Sequence, residues 1–290
     1  MSVFVSDKPQ INIEENQVDV SALMRRGHPQ IPNGDQYILK LVKEHCQRLG
    51  RPARILDLCC GSGYFAAKLI KKLPDLELIA NEDELELIPH LQNRLGNTNA
   101  KIFPHPFTEW NEPLDIVISW GSFHHLPRHY LDHAKKVLGS DGILILGDEF
   151  CPEYCDVTHA ERINQAEIIH IADGYVLTNT SEVETYQKEN RLSPMAIDLE
   201  KRRQQALWIW YRYVVDFAMA KNCLEVATYE LRAAHDDLLT NEGEEHKMSP
   251  LIAEQELKLM GFKQLSKQSF CSDDTPELQS FFVYEFTGHC

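Results

Sequence analysis

The sequence predicts an α/β protein in which helices cover both faces of a mostly parallel sheet, with an all-helical stretch inserted near the end. Three observations carry this. Between Arg54 and Phe150, the short runs ARILDL, LELIA, AKIF, LDIVISW and GILILGDEF alternate with helical stretches, which is the βαβα rhythm of a parallel sheet. These runs are apolar throughout rather than alternately apolar and polar, as strands buried on both faces require. After Phe150 the rhythm gives way to helical periodicity, and strands return only in GFKQLSKQSF and SFFVYEF. The turn-rich CSDDTPELQ between those two is too tight for a helical crossover, so they form an antiparallel pair.

In order along the chain, residues 1 to 33 are polar and irregular, broken by Gly27-His28-Pro29 and Pro32-Asn33-Gly34, and read as an arm or lid. Asp35 is placed to cap a helix whose Ile38, Leu41 and Val42 share one face. ARILDL runs into a glycine-rich turn and a helix from Tyr64 to Lys72. LELIA ends at Asn81-Glu82 and precedes a helix over 84–95. LDIVISW leads to a helix that Pro127 starts, leaving His125 outside it and His129 and His133 on a solvated surface. In the insertion, Leu207, Trp210, Tyr211, Val214 and Ala218 lie on one helical stripe, and a further helix starts after Lys221-Asn222 and runs from Leu224 to Leu239. The expected units are an arm and helix over 1–50, a sheet core over 51–150, a helical cap over 151–245, and a return to the core over 246–290.

Composition excludes several functions. The 290 residues are 43% apolar, enough for a real core, and 29 Lys+Arg against 44 Asp+Glu leave a net charge of −15. A nucleic-acid binder needs a basic footprint, and the longest basic cluster here is Lys201-Arg202-Arg203. The first ten residues lack a secretory pattern, and the apolar run Ala206 to Tyr211 is too short to cross a bilayer, so a cytoplasmic protein without membrane contact is expected. The 8 cysteines include no CxxC pair and read as reduced thiols. Cys151 and Cys155 lack the second pair a metal site wants, and no metal is expected.

The strongest chemical signal is Ile55-Leu56-Asp57-Leu58-Cys59-Cys60-Gly61-Ser62-Gly63-Tyr64-Phe65-Ala66, a buried strand running into a glycine turn that opens a helix. Glycines there let a ligand approach bare backbone, and the helix N-terminus offers N–H groups to an anionic group. Glu82 follows the second strand, where a carboxylate meets the two hydroxyls of a ribose. Together these point to an adenosine-containing ligand. Gly61-x-Gly63-x-x-Ala66 also satisfies a dinucleotide pattern, so an NAD(P)-dependent oxidoreductase is one reading; it requires six parallel strands and no antiparallel pair at the C-terminus.

Three further features resemble the class I S-adenosylmethionine-dependent methyltransferases: Asp57 within D-x-x-x-G-x-G, the run LDIVISWGSFHHL followed by KKVLGSDGILILGDEF, and EEHKMSPLIAEQELKLMGF ahead of the antiparallel pair. The resemblance covers about Arg54 to Phe150 and His246 to Phe286, leaving the arm and the insertion unmatched. It implies a Rossmann-like, seven-stranded, mostly parallel sheet with an antiparallel C-terminal strand, and S-adenosylmethionine as cofactor. It further implies that Asp57, Gly61 and Gly63 hold the methionine end and Glu82 the ribose hydroxyls. Cys59 stands where many members have another glycine. Asp83 stands where an apolar residue commonly packs on adenine. His105, beside Pro106, stands where many have an aspartate that binds the adenine amino group.

The loop Ser119-Trp120-Gly121-Ser122-Phe123-His124-His125 falls at the carboxyl ends of the strands, where ligands of open α/β sheets bind, so Ser119 and Trp120 are expected to line the site. Candidates for a general base are His124, His125, Asp148, Glu149 and His246, because histidine titrates near neutrality and a carboxylate at the strand ends could take the acceptor's proton. Caps and packing are the competing roles for each. Trp208 and Tyr213 lie off the apolar stripe and suit a wall facing the substrate, while the same aromatics could pair two copies of the chain into a homodimer. A small-molecule methyl acceptor is expected, since a cap over the site suits a compact ligand. A non-catalytic module that binds S-adenosylmethionine is the further alternative, and turnover distinguishes it.

Overall fold

Each apolar run forms the strand expected of it. The computed structural model describes Arg25, His28, residues 30–126, 128–156, Thr158, Lys188, and residues 194–239, 247–270 and 281–288. The elements are α1 (Gln30–Leu49), β1 (Arg54–Leu58), α2 (Tyr64–Lys72), β2 (Glu77–Asn81), α3 (Ile88–Leu95), β3 (Lys101–Phe103), β4 (Leu114–Trp120), α4 (Arg128–Val137), β5 (Leu138–Glu149), α5 (Pro194–Ala220), α6 (Leu224–Leu239), α7 (Pro250–Leu259), β6 (Lys263–Phe270) and β7 (Phe281–Thr287).

The strands form one seven-stranded sheet in the order β3-β2-β1-β4-β5-β7-β6. β1 to β5 are parallel; β7 runs antiparallel to both β5 and β6. The oxidoreductase alternative requires a wholly parallel six-stranded sheet, and this topology does not supply one. The strand order reverses between β1 and β4, which opens a crevice at the carboxyl ends of the strands. Leu58, Asn81, Trp120 and Glu149 end their strands on that edge.

Alternation along the strands feeds two cores. Leu56, Leu58, Val117, Leu144 and Leu146 enter one, and Ile55, Ile116, Ile118 and Ile145 the other, under α1 and α2. The α5 stripe of Leu207, Trp210, Tyr211 and Val214 joins the first core with Phe150, Met248 and Phe282, so this helix packs against the carboxyl end of β5. Helix α5 stops at Lys221-Asn222, where Asn222 takes a left-handed φ of 57°, and α6 spans the Leu224–Leu239 expected.

Three local expectations need correction. Asp35 does not cap α1; the helix starts five residues earlier, at Gln30, and Asp35 is fully buried inside it. Helix α3 begins at Ile88, with Pro89 in its first turn, not at Glu84. His133 is buried, not solvated: its Nε2 lies 2.7 Å from the Trp110 carbonyl, and its ring meets Phe107 edge-on.

Candidate functional site

The glycine turn is held by β2. Cys60 N–H donates to the Asn81 carbonyl at 2.9 Å, and Gly61 N–H donates to Glu82 Oε2 at 2.7 Å. The other Glu82 oxygen accepts from the Asp83 and Glu84 N–H groups at 3.0 and 3.1 Å. Burial pushes the Glu82 carboxyl up, and these backbone donors offset part of that. The turn is left-handed at Cys59 (φ 49°), Gly61 (φ 58°) and Gly63 (φ 78°), so a cysteine occupies a conformation that favours glycine. A Cβ on Gly61 would meet nothing within 4 Å, which leaves its backbone open to a ligand.

Gly63 faces the opposite constraint, since a Cβ there would run into Leu91 Cδ1 of α3. We expect Gly63→Ala to lose about 2 kcal/mol or more of stability, from positive φ and overpacking together, read as a lowered urea midpoint. Gly63 also caps α2 without a side-chain hydrogen bond of its own.

Asp57, at the end of β1, is 2% exposed, and its Oδ2 has no hydrogen-bond partner. Burial, with Asp35 and Glu82 nearby, pushes its carboxyl up to about 8. A buried acceptor without a donor is costly, and a bound cation would satisfy it. Behind it stands a network anchored on Asp35, which binds Arg25, accepts from Lys68 Nζ at 2.8 Å and from Trp120 Nε1 at 2.8 Å. The Trp120 ring fills the space between Gly34 and Gly147, where any Cβ would strike it. Arg94 donates to the Ser62 hydroxyl at 2.7 Å and lies 4.3 Å from the Tyr64 ring centre.

Next to β2, Asn81 Nδ2 donates to the Phe103 and His105 carbonyls at 3.1 and 2.8 Å. His105, Pro106 and Asp83 are exposed at the rim. Burial raises the Cys59 and Cys60 thiols well above the ordinary range, keeping both protonated at neutral pH.

The β4 loop is locked from beneath. Ser119 donates to Ser122 at 2.8 Å and Ser122 to the Leu58 carbonyl at 3.2 Å. This brings His124 onto Asp148 at the end of β5. Asp148 is fully buried and accepts from the His124 backbone N–H at 2.9 Å, and His124 Nδ1 lies 2.9 Å from both its oxygens. The two therefore form a buried His–Asp pair, with the exposed His125 ring 4.0 Å from that of His124. His246 lies outside the described residues.

Glu149 faces a different set of groups. Lys247 Nζ is 3.6 Å from Glu149 Oε1 and 4.7 Å from the centre of the Trp210 ring. His28 Nε2 is 2.9 Å from Glu230 Oε1, with both side chains buried. Burial lowers the His28 ring, but Glu230's hydrogen bond and charge outweigh it and leave the ring raised. Burial raises Glu149 against the opposing charges of Lys247 and His28.

The fold thus brings Asp57, Cys59, Gly61, Gly63 and Glu82 to one side of the crevice and His124, Asp148 and Glu149 to the other. The candidate wall residues separate: Trp208 is 52% exposed, whereas Tyr213 is half-buried with its hydroxyl unpartnered. Sequence reading missed Asp35, Lys68, Arg25, His28, Glu230 and Lys247. Lys247 lay within the quoted EEHKMSPLIAEQELKLMGF, as the residue after His246, and His28 within the quoted Gly27-His28-Pro29, neither with a role in the site. Among the described residues no group of three or more side chains suits a metal ion.

Residues 55–142 match a family model described as a methyltransferase domain. Among solved structures, the chain is similar to the plantazolicin methyltransferase BpumL in complex with a triazolic desmethylPZN analog and SAH, at 11% identity over 93% of this chain and 90% of that one, TM-score 0.49. Similar too are magnesium protoporphyrin IX methyltransferase (ChlM) from Synechocystis PCC 6803 with bound SAH (12% identity, 93% and 86% covered, TM-score 0.45) and the methyltransferase domain of bacterial CtHen1-C (11%, 90% and 99%, TM-score 0.46). No curated protein matches the chain in sequence.

Proposed function

We propose, from the methyltransferase domain matched over residues 55–142 and the sheet topology around it, that the chain is a class I, S-adenosylmethionine-dependent methyltransferase that transfers the methyl group to a small-molecule acceptor held between the sheet edge and helices α5 and α6. The observation that carries this reading is the His124–Asp148 pair on the strand ends across the switch point from the unpartnered Oδ2 of Asp57. The acidic chain, at −15, supports a small molecule over a nucleic acid. No helix among the described residues is long and apolar enough to cross a membrane. In this reading the protein works in the cytoplasm, and residues 151–245 act as a cap over a core formed by 51–150 and 246–290.

S-adenosylmethionine supplies, when bound, a methyl carbon on a positively charged sulfur, open to in-line displacement. Asp57 would hold its ammonium, Gly61 and Gly63 its methionine backbone, and Glu82 its ribose. Cys59, Asp83, His105, Pro106, Ser119 and Trp120 are the remaining candidates for contact with the cofactor. The orphaned Asp57 Oδ2, the open face of Gly61 and the buried Glu82 suit that cofactor. The protein's main contribution is then proximity and alignment. Asp148 accepts the Nδ1 proton of His124, so the Nε2 nitrogen is the basic one that takes the acceptor's proton. Asp148 is the positioning residue; His125, Glu149 and His246 are the other candidates for contact with the acceptor.

The state of Asp57 gives a direct check. Its carboxyl titrates near 8 in the free protein, so at pH 6.5 it is protonated, and an ammonium placed against it drives the proton off. Cofactor binding should release close to one proton at that pH, read by calorimetry in two buffers of different ionisation enthalpy. Asp57→Asn should release none.

The reading is tested by titrating S-adenosylmethionine, S-adenosylhomocysteine and NAD in parallel, then offering methyl-labelled cofactor with small-molecule panels and with RNA. Label in a small molecule is the expected result. Label in RNA would overturn the acceptor class. Binding with no transfer to any acceptor would favour a non-catalytic module.

A further inference from the structure

A second cluster of buried polar groups lies beside the His–Asp pair, drawn from four parts of the chain. Glu149 ends β5, Lys247 precedes α7, Trp210 belongs to α5, and His28 with Glu230 of α6 closes the cluster. Two polar atoms in it are left over. Lys247 and Glu149 stand 3.6 Å apart, beyond hydrogen-bond length, and Glu149 Oε2 is buried with no partner. Trp210 is 1% exposed, and its Nε1 is also buried with no partner. An unsatisfied donor and an unsatisfied acceptor within one buried cluster are what a recognition site keeps ready for a ligand.

Resting on the methyltransferase reading above, we propose that Glu149, Lys247 and Trp210 form the subsite that recognises the acceptor, and that it takes a neutral planar head group carrying both a donor and a carbonyl, of the carboxamide or lactam kind. The chemistry follows from the three atoms. Glu149 Oε2 needs an N–H or O–H from the ligand; Trp210 Nε1 offers a hydrogen to a carbonyl oxygen, beside the positive charge of Lys247. Charge excludes the nearest alternatives. An anionic head would meet the Glu149 carboxylate, with Asp148 and Glu230 beyond it. A cationic head would meet Lys247, with His28 and the buried Arg203 guanidinium behind, the latter donating to the Lys247 carbonyl at 3.2 Å. A neutral donor and carbonyl satisfy the unpaired atoms without adding charge to a cluster that already holds both signs.

The test compares three probes of one shape, benzamide, benzoate and benzylamine, by saturation-transfer NMR titration with and without S-adenosylhomocysteine. For the native chain, benzamide should bind at least tenfold tighter than either charged probe. Glu149→Gln should move the preference to benzoate, and Lys247→Met should move it to benzylamine, each by removing one sign of charge. Retained binding of S-adenosylhomocysteine in both variants shows that they are folded. A native preference for benzoate or benzylamine, no binding of any probe, or a ranking unchanged in both variants would overturn the subsite. Failure of the native chain to bind S-adenosylhomocysteine would fall on the cofactor reading instead, because the probe ranking is also read without it.

Discussion

Replacing Asp148 by asparagine should lower kcat by about 10²- to 10⁴-fold while leaving the affinity for S-adenosylhomocysteine unchanged. The carboxylate is fully buried and takes a hydrogen bond from both the ring and the backbone of His124. An amide presents one oxygen and one NH2 group in its place. If the N–H meets the ring, it stabilises the tautomer in which Nδ1 is the acceptor, and Nε2 then carries the proton it should receive. His124→Ala should cost as much, and the double variant little more, because the two residues act as a unit. The check is single-turnover kinetics across pH with the acceptor found by the panel. In the native enzyme the rate should rise with pH, and this rise should vanish in His124→Ala. A uniform loss of cofactor affinity in either variant would mark a structural role only.

Glu82→Ala should weaken S-adenosylmethionine binding by about 10²-fold or more, the loss expected for two hydrogen bonds to a charged acceptor. Stability should fall with it, because the same carboxylate takes the N–H groups of Gly61, Asp83 and Glu84 in a buried setting. Glu82→Gln separates the two effects. The amide still has an oxygen to accept from the turn but lacks the charge and the second acceptor, so the fold should survive while affinity drops about tenfold. Paired calorimetry and thermal melts read both quantities. Equal affinity in all three proteins would mean that the ribose is held elsewhere.

What could be read in advance was whatever local spacing encodes. A run of Ile, Leu and Val has to be a buried strand, and glycines at 61 and 63 with an acid at 82 describe a backbone path that needs only neighbouring residues to specify it. The parallel sheet and the edge where the site lies follow from these, while the seven-stranded order came with the resemblance to the methyltransferases. The His124–Asp148 contact was half legible: both residues were named, each on its own, since no spacing rule joins groups 24 positions apart. The Asp35 network and the His28–Glu230 pair were not legible. His28 and Glu230 are separated by 202 positions, and only tertiary packing brings them together. His133 failed for a related reason: a polar residue on a helix defaults to solvent unless a distant carbonyl, here that of Trp110, arrives to receive it.

The place of β7 governs the order in which the molecule can be built. The last described strand of the chain is inserted between β5 and β6, and β6 touches no other strand of the sheet. During synthesis, the hydrogen-bonding edge of β5 therefore stays open until Phe281–Thr287 has been made, although every parallel strand has been available since residue 149. Both β6 and the β5 edge then close in one step, as β7 pairs with each. His28 depends on the same event, because its ring packs edge-on against Phe281, the first residue of β7. A chain lacking β7 would present an unpaired β5 edge to its neighbours and leave the His28 ring without Phe281, so solubility and the crevice are lost together.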